Sequence, residues 1–154
     1  MRYRIELEPI AKARARLRFV AGKGAVGHFL SYTPTKTKKA ENFIKLQAKS
    51  LGIQIYQKEI PLRLTATFYR CKSKWLPRKE TMPFRKPDLD NFLKLLLDAL
   101  NGVAFYDDSQ ITTIEVKKRW THESQTASRK ARQNGKVDTN SGYIEFEITE
   151  DVDD

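Results

Sequence analysis

KPDLDNFLKLLLDALNGVAFYDDSQI, residues 86–111, sets a strongly apolar helix between two pairs of acids. Pro87 disfavours helical geometry at Lys86 and suits an entry point. From Asp90 the pattern turns helical: Leu89, Phe92, Leu93, Leu96 and Leu100 line one stripe, and Leu95 and Ala99 widen it. Asp90, Lys94 and Asp98 share the narrow face that remains, at four-residue spacing. Asn101-Gly102 is a good helix stop. Beyond it come Asp107 and Asp108, which a hairpin-like helix would bring beside Asp88 and Asp90.

Clustered carboxylates repel. Two of them about 4 Å apart cost roughly 4 kcal/mol at an effective dielectric near 20, unless a cation or proton sits between them. A hard divalent ion with oxygen ligands, Mg²⁺ or Mn²⁺, is the natural occupant. Such an ion activates water and stabilises charge on a phosphate in flight. The plain structural alternative is that Asp88 caps the helix and Asp107-Asp108 make a turn.

The bulk properties bound the partners. The chain has 154 residues, enough for one domain with a sizeable core. Lys and Arg number 29 against 19 acids, a net charge of +10. That excess points to an acidic partner, nucleic acid first and anionic membrane second. No apolar run approaches the roughly 20 residues that span a bilayer, and the start lacks a signal-type segment, so a cytoplasmic location is expected. Cys71 is the only cysteine, which excludes an internal disulfide or a cysteine-rich zinc site. His28 and His122 have no metal-ligand partner pattern.

Upstream, residues 2–8 alternate as a half-buried strand through Tyr3, Ile5 and Leu7. Arg14, Arg16 and Arg18 alternate with Ala15, Leu17 and Phe19 in a second strand, which leaves three guanidiniums on one face. A third short strand is expected near His28–Tyr32. Pro34 starts a helix, with Thr35 or Thr37 as its cap. Lys38–Leu51 then reads as amphipathic, with Ala40, Phe43, Ile44, Leu46, Ala48 and Leu51 on its apolar face. Residues 61–69 alternate as a strand. Arg70 to Lys86 is a cationic loop with Trp75 and Phe84 among its charges, either candidates for stacking on a base or pins to the core. After the acid core, residues 109–120 and 142–149 read as strands. Residues 121–141 are polar and basic, a long connection expected to be functional or mobile, and the acidic end from Glu150 is expected to fray.

Several of these motifs, in this order, resemble the RusA family of Holliday junction resolvases. They are Lys12-Ala13-Arg14-Ala15-Arg16, the segment Tyr32 to Thr37 (YTPTKT), DLDN at Asp88–Asn91, Lys94, Asp98 to Gly102, and Asp107-Asp108-Ser109-Gln110. The resemblance covers roughly residues 3 to 150. It implies a homodimeric, Mg²⁺-dependent endonuclease that cuts branched DNA, of a kind often prophage-encoded. By motif it puts the essential acids on Asp88, Asp90 and Asp108, with Asp107 as a nearby or alternate ligand, and the essential lysine on Lys94. The expected DNA contacts are Lys12, Arg14, Arg16, Lys72, Lys74, Arg85 and Lys86, those of the loop for their charge beside the acids and those of the arginine strand because the resemblance implies a phosphate-contacting surface. Asp98 is read as structural support.

The fold expected is α/β, a single domain with a mixed sheet and two main helices in the order β-β-β-α-β-α-β-β. The second helix carries more apolar surface than one sheet face covers, so Leu95 and Ala99 are expected to meet a partner chain. The function expected is resolution of four-way junctions by paired symmetric cuts in DNA recombination and repair. The alternatives are a non-catalytic DNA-binding module and a nuclease for flaps or forks.

Overall fold

The computed structural model describes residues 1–21, 24, 27–127, 130–131, 134 and 142–152. The strands are β1 (Arg2–Ile5), β2 (Arg16–Val20), β3 (His28–Tyr32), β4 (Leu62–Arg70), β5 (Ile111–Trp120) and β6 (Tyr143–Glu150). The helices are α1 (Thr35–Ser50), α2 (Leu89–Leu100) and the short α3 (His122–Thr126). The expected order of elements holds, with α3 added. Residues 121–141 thus begin as a helix anchored by buried Thr121 and Ser124. The greater part of that segment lies outside the described residues.

Four strands form one mixed sheet in the order β1-β6-β4-β5, while β2 and β3 make a separate two-stranded hairpin. β4 runs antiparallel to β6 and parallel to β5. A parallel pair cannot be joined by a tight turn, so α2 serves as the crossover between β4 and β5. Period-two alternation turns Leu62, Leu64, Ala66 and Phe68 of β4 to the buried face, together with Ile144, Phe146 and Ile148 of β6. The helices cover that face, and Phe68 stacks on Phe92 with ring centroids 5.5 Å apart. Gly102 ends the α2 region at φ +73°, a conformation that costs glycine nothing.

Two helix faces differ from expectation. In α1 the buried stripe is Thr37, Ala40, Ile44 and Ala48, whereas Phe43, Leu46 and Leu51 are exposed. Small residues at four-residue spacing let α1 lie close along α2, so the buried stripe is narrow. Pro34 rather than a threonine occupies the cap position, and Thr37 turns inward to accept from the Ala13 N–H at 3.2 Å. In α2, Leu95 and Ala99 are buried in the chain's own core, at 1% and 2% exposure. They do not form an outer stripe, because α1 covers the side of α2 that the sheet leaves open.

Leu95→Glu should therefore unfold the protein rather than dissociate one copy from another. A buried, unpaired carboxylate in place of a packed leucine costs at least about 3 kcal/mol. A urea melt should show the midpoint collapse. A folded monomer at the wild-type midpoint would return Leu95 to an interface.

Candidate active site

The two acid pairs stand apart. In a β-α-β crossover the helix runs back along the strands, so its two ends lie at opposite ends of them. Asp88 and Asp90 are at the start of α2, beside the far end of β5. There the Lys118 ammonium donates to the carbonyls of Pro87 (2.8 Å) and Arg85 (3.0 Å). Asp107 and Asp108 immediately precede β5 at its other end. Lys118 and Ile111 are seven residues apart on β5, about 23 Å at a rise near 3.3 Å per residue. Among the described residues, no group of three or more His, Cys, Asp or Glu is placed to hold a metal ion. The expectation that the helix brings both pairs together within one chain is thus corrected.

Asp88 holds the N-cap position of α2 in extended geometry (φ −73°, ψ 148°), yet its carboxylate makes no capping hydrogen bond. The role that would explain an aspartate here structurally is not the one it performs. Asp90, in the first helical turn, is exposed and pairs with Lys94 at 3.4 Å. Both side chains are more than 60% exposed, so this pair is worth only a few tenths of a kcal/mol. At the other end the two acids divide their work. Asp107 caps the 3-10 turn Asp108–Gln110 by accepting from the Ser109 N–H at 2.8 Å, and Gln110 closes the reciprocal half of a capping box. That bond holds the Asp107 carboxyl below its usual range. Asp108 stands exposed next to it.

The sequence matches the family model "Endodeoxyribonuclease RusA" over residues 6–127. The chain belongs to the RusA family. It is accordingly an endonuclease that hydrolyses DNA. It is 30% identical over 145 residues to the crossover junction endodeoxyribonuclease rusA of Lactococcus phage r1t, a match covering 92% of this chain and 84% of the relative. It is also 27% identical over 128 residues to the uncharacterized protein YqaN of Bacillus subtilis (strain 168), covering 75% of this chain and 84% of that one.

In this RusA-family chain the acids at the start of α2 are ringed by cations. One of them, Lys118, has a part in the site that its sequence pattern does not reveal. Burial, and then the nearby Arg70 guanidinium, hold its ammonium below the usual lysine range, while Asp88 pulls it back up. Arg70 reaches the Lys86 carbonyl at 3.4 Å and lies over the rings of Phe92 and Trp120. Lys118 and Arg70 thus fix the chain immediately ahead of Asp88. Alternation alone gives no sign of this, since Lys117-Lys118-Arg119 reads as a solvated end of strand.

The basic loop is organised around a lysine that the sequence assigned to DNA. Lys72 is fully buried, and its ammonium donates to the carbonyls of Arg78 (3.1 Å) and Glu80 (2.6 Å). Its backbone N–H donates to the Ser124 hydroxyl at 2.9 Å. A phosphate cannot reach it without opening the loop, so Lys72 is a structural hub and not a DNA contact. Lys12 is half-buried and pairs with Asp98 and, at 4.0 Å, with Glu41. Arg85 is exposed but paired with the buried Glu80 at 3.1 Å. Arg14, Arg16, Lys74 and Lys86 are exposed. Trp75 and Phe84 are exposed as well, at 66% and 74%, so neither pins the loop to the core.

Reversing Lys74 and Lys86 to Glu should weaken every DNA form alike and lower the slope of log K against log salt by about two. Lys72→Met should leave that slope unchanged but make the loop sensitive to protease, because two carbonyls lose their donor. A slope altered by Lys72→Met and not by the double reversal would return Lys72 to the DNA path.

Proposed function

We propose that this RusA-family nuclease resolves four-way DNA junctions as a two-fold homodimer, with a divalent cation held by Asp88, Asp90 and Asp108. The substrate class follows the phage relative, which is a crossover junction endodeoxyribonuclease. The observation that carries the reading is the placing of the acid pairs at opposite ends of α2. One chain offers two exposed carboxylates at one end and a further exposed carboxylate, Asp108, at the other. An antiparallel pairing of two copies supplies the missing acid to each.

Strand β5 suits that pairing. Among the described strands it bonds to β4 alone, so the alternate backbone groups of this ten-residue strand that face away from β4 form an edge unpaired by any described strand. A two-fold axis near the middle of β5 aligns Ile111 of one copy with the Lys118 region of the other. The partner's Asp108 is then carried toward Asp88 and Asp90. Two such sites on a two-fold axis match a substrate with the same symmetry, which needs two nicks to be resolved.

The residues fit a hard cation. All three acids are exposed oxygen donors, and Asp88 is free of the capping duty its position offers. Mg²⁺ is the expected ion, with Mn²⁺ as a substitute. When bound, it supplies Lewis acidity toward the phosphate and a lowered pKa for water. The chain's own residues do the rest. Asp107 holds the turn that presents Asp108. Lys118 fixes the backbone ahead of Asp88, and Lys94 stands one turn above Asp90 to meet charge developing on the phosphate. Arg14, Arg16, Lys74 and Lys86 neutralise flanking phosphates.

The experiment is cleavage of a labelled mobile four-way junction, a fork, a flap and a linear duplex, each with and without Mg²⁺. Paired symmetric cuts in the junction alone, dependent on Mg²⁺, are expected. Faster cutting of forks or flaps would assign the enzyme to another branched form. Cutting in the presence of a chelator would remove the cation from the reading.

A further inference from the structure

The β2–β3 hairpin stands outside the main sheet, and its surface is unusual on both sides. Its register pairs Leu17 with Ser31, Arg18 with Leu30 and Phe19 with Phe29. Alternation then gives two faces. One presents Leu17, Phe19 and Phe29, which are 72%, 57% and 69% exposed. The two phenyl rings meet edge to face with centroids 5.4 Å apart. The other presents Arg16 and Arg18, beside the half-exposed Tyr32 and Leu30. Large apolar groups this exposed on a two-stranded hairpin make little contribution to folding, since no second layer among the described residues covers them.

Charge selects the occupant. Residues 9–40 hold eight Lys or Arg and no Asp or Glu. A second copy docked isologously on this hairpin would bring two such acid-free segments together, and like charges would oppose it. A polyanion with exposed aromatic faces satisfies both sides of the hairpin at once. A branch point in DNA offers that combination: dense phosphate together with bases whose stacking partners are strained or lost.

We propose that the β2–β3 hairpin is the element that recognises the branch, with Phe19 and Phe29 stacking against unstacked bases while Arg16 and Arg18 hold the flanking phosphates. The inference rests on the branched-DNA reading above and adds the means of selectivity. Continuous duplex must be unstacked before the rings gain anything, whereas a branch point requires much less, so the hairpin favours junctions over duplex.

The test uses the full chain, without divalent metal, and a four-way junction carrying 2-aminopurine beside the branch. Wild-type protein should raise its fluorescence on saturation, and should leave the same label dark in a linear duplex. Phe19→Leu/Phe29→Leu keeps the apolar character but removes the rings. It should lose the fluorescence rise and about tenfold of the junction-over-duplex affinity ratio, the scale of one lost stacking platform. Duplex affinity should not change. Arg16→Glu/Arg18→Glu should instead weaken both forms and keep the ratio. A junction label that stays dark with wild-type protein, or a double-leucine variant with its ratio intact, overturns the proposal. So does a double-leucine variant whose mass by light scattering falls to half, which would make this face an interface between copies. If wild type itself shows no preference for the junction, it is the branched-DNA reading that fails. If wild type prefers the junction and the variant does so equally, the hairpin alone is misassigned.

Discussion

Asp88→Asn should leave the fold intact and abolish cleavage of a four-way junction, by on the order of a thousandfold or more, the roughly 4 kcal/mol scale of losing a metal ligand. The substitution keeps size and shape and removes one negative charge from a site that faces a polyanion. If Asp88 were simply a helix cap, the change would be nearly silent, because Asn caps about as well as Asp. The structure sharpens the contrast, since the Asp88 carboxylate makes no capping bond to lose. Junction binding measured with a chelator should persist or tighten, because repulsion of phosphate is reduced. Asp108→Asn should behave the same way, although it lies at the other end of α2. Asp107→Asn should cost far less activity, since its carboxylate is occupied with the Ser109 N–H. Rates and metal-free affinities measured on the three variants decide the matter. Full Mg²⁺-dependent activity in Asp88→Asn would remove the acids at the start of α2 from the active site.

How much of this was legible in the sequence follows from which forces act locally. Strand and helix order came through, because period-two runs such as Leu62–Arg70 and the apolar stripe of α2 are local patterns that burial rewards directly. The Gly102 stop came through for the same reason, as a single backbone position with positive φ. What did not come through depends on partners distant in sequence. That β4 and β5 are parallel is a property of the sheet, and it alone sends the two acid pairs to opposite ends. Leu95 and Ala99 look like surplus apolar area until α1 is seen to cover them. The hairpin's departure from the main sheet has no local marker either, since Arg16–Val20 alternates like any half-buried strand.

The candidate site shows the same division. The family resemblance pointed to Asp88, Asp90, Lys94 and Asp108, and all four are exposed where a substrate can reach them. Charge alone misplaced Lys72. A lysine in a basic loop is ordinarily solvated, and its burial becomes visible only when the Arg78 and Glu80 carbonyls converge on it. Lys118 escapes notice for the converse reason. Its function lies in holding the Arg85 and Pro87 carbonyls, which are more than thirty residues upstream.

A mixture of Asp88→Asn and Asp108→Asn chains should recover cleavage that neither variant has alone. If each site takes Asp88 and Asp90 from one copy and Asp108 from the other, a mixed dimer has one site with both changes and one with neither. Random assortment makes about half the dimers mixed, so about a quarter of all sites are intact. Were the three acids to act within one chain, every site in the mixture would carry a change, and no activity would return. Co-refolding the two chains under separate affinity tags, and selecting dimers that carry both, isolates the mixed species. That species should nick one strand of the junction and stop, since its partner site is dead, giving nicked junctions in place of paired linear products. Asp88→Asn mixed with Asp90→Asn is the control: both acids come from the same end of α2, so each site retains one change and no rescue is expected. Tagged mixed dimers that remain inactive would place Asp108 with the acids of its own chain, and would require β5 and α2 to move some 20 Å relative to the arrangement seen here.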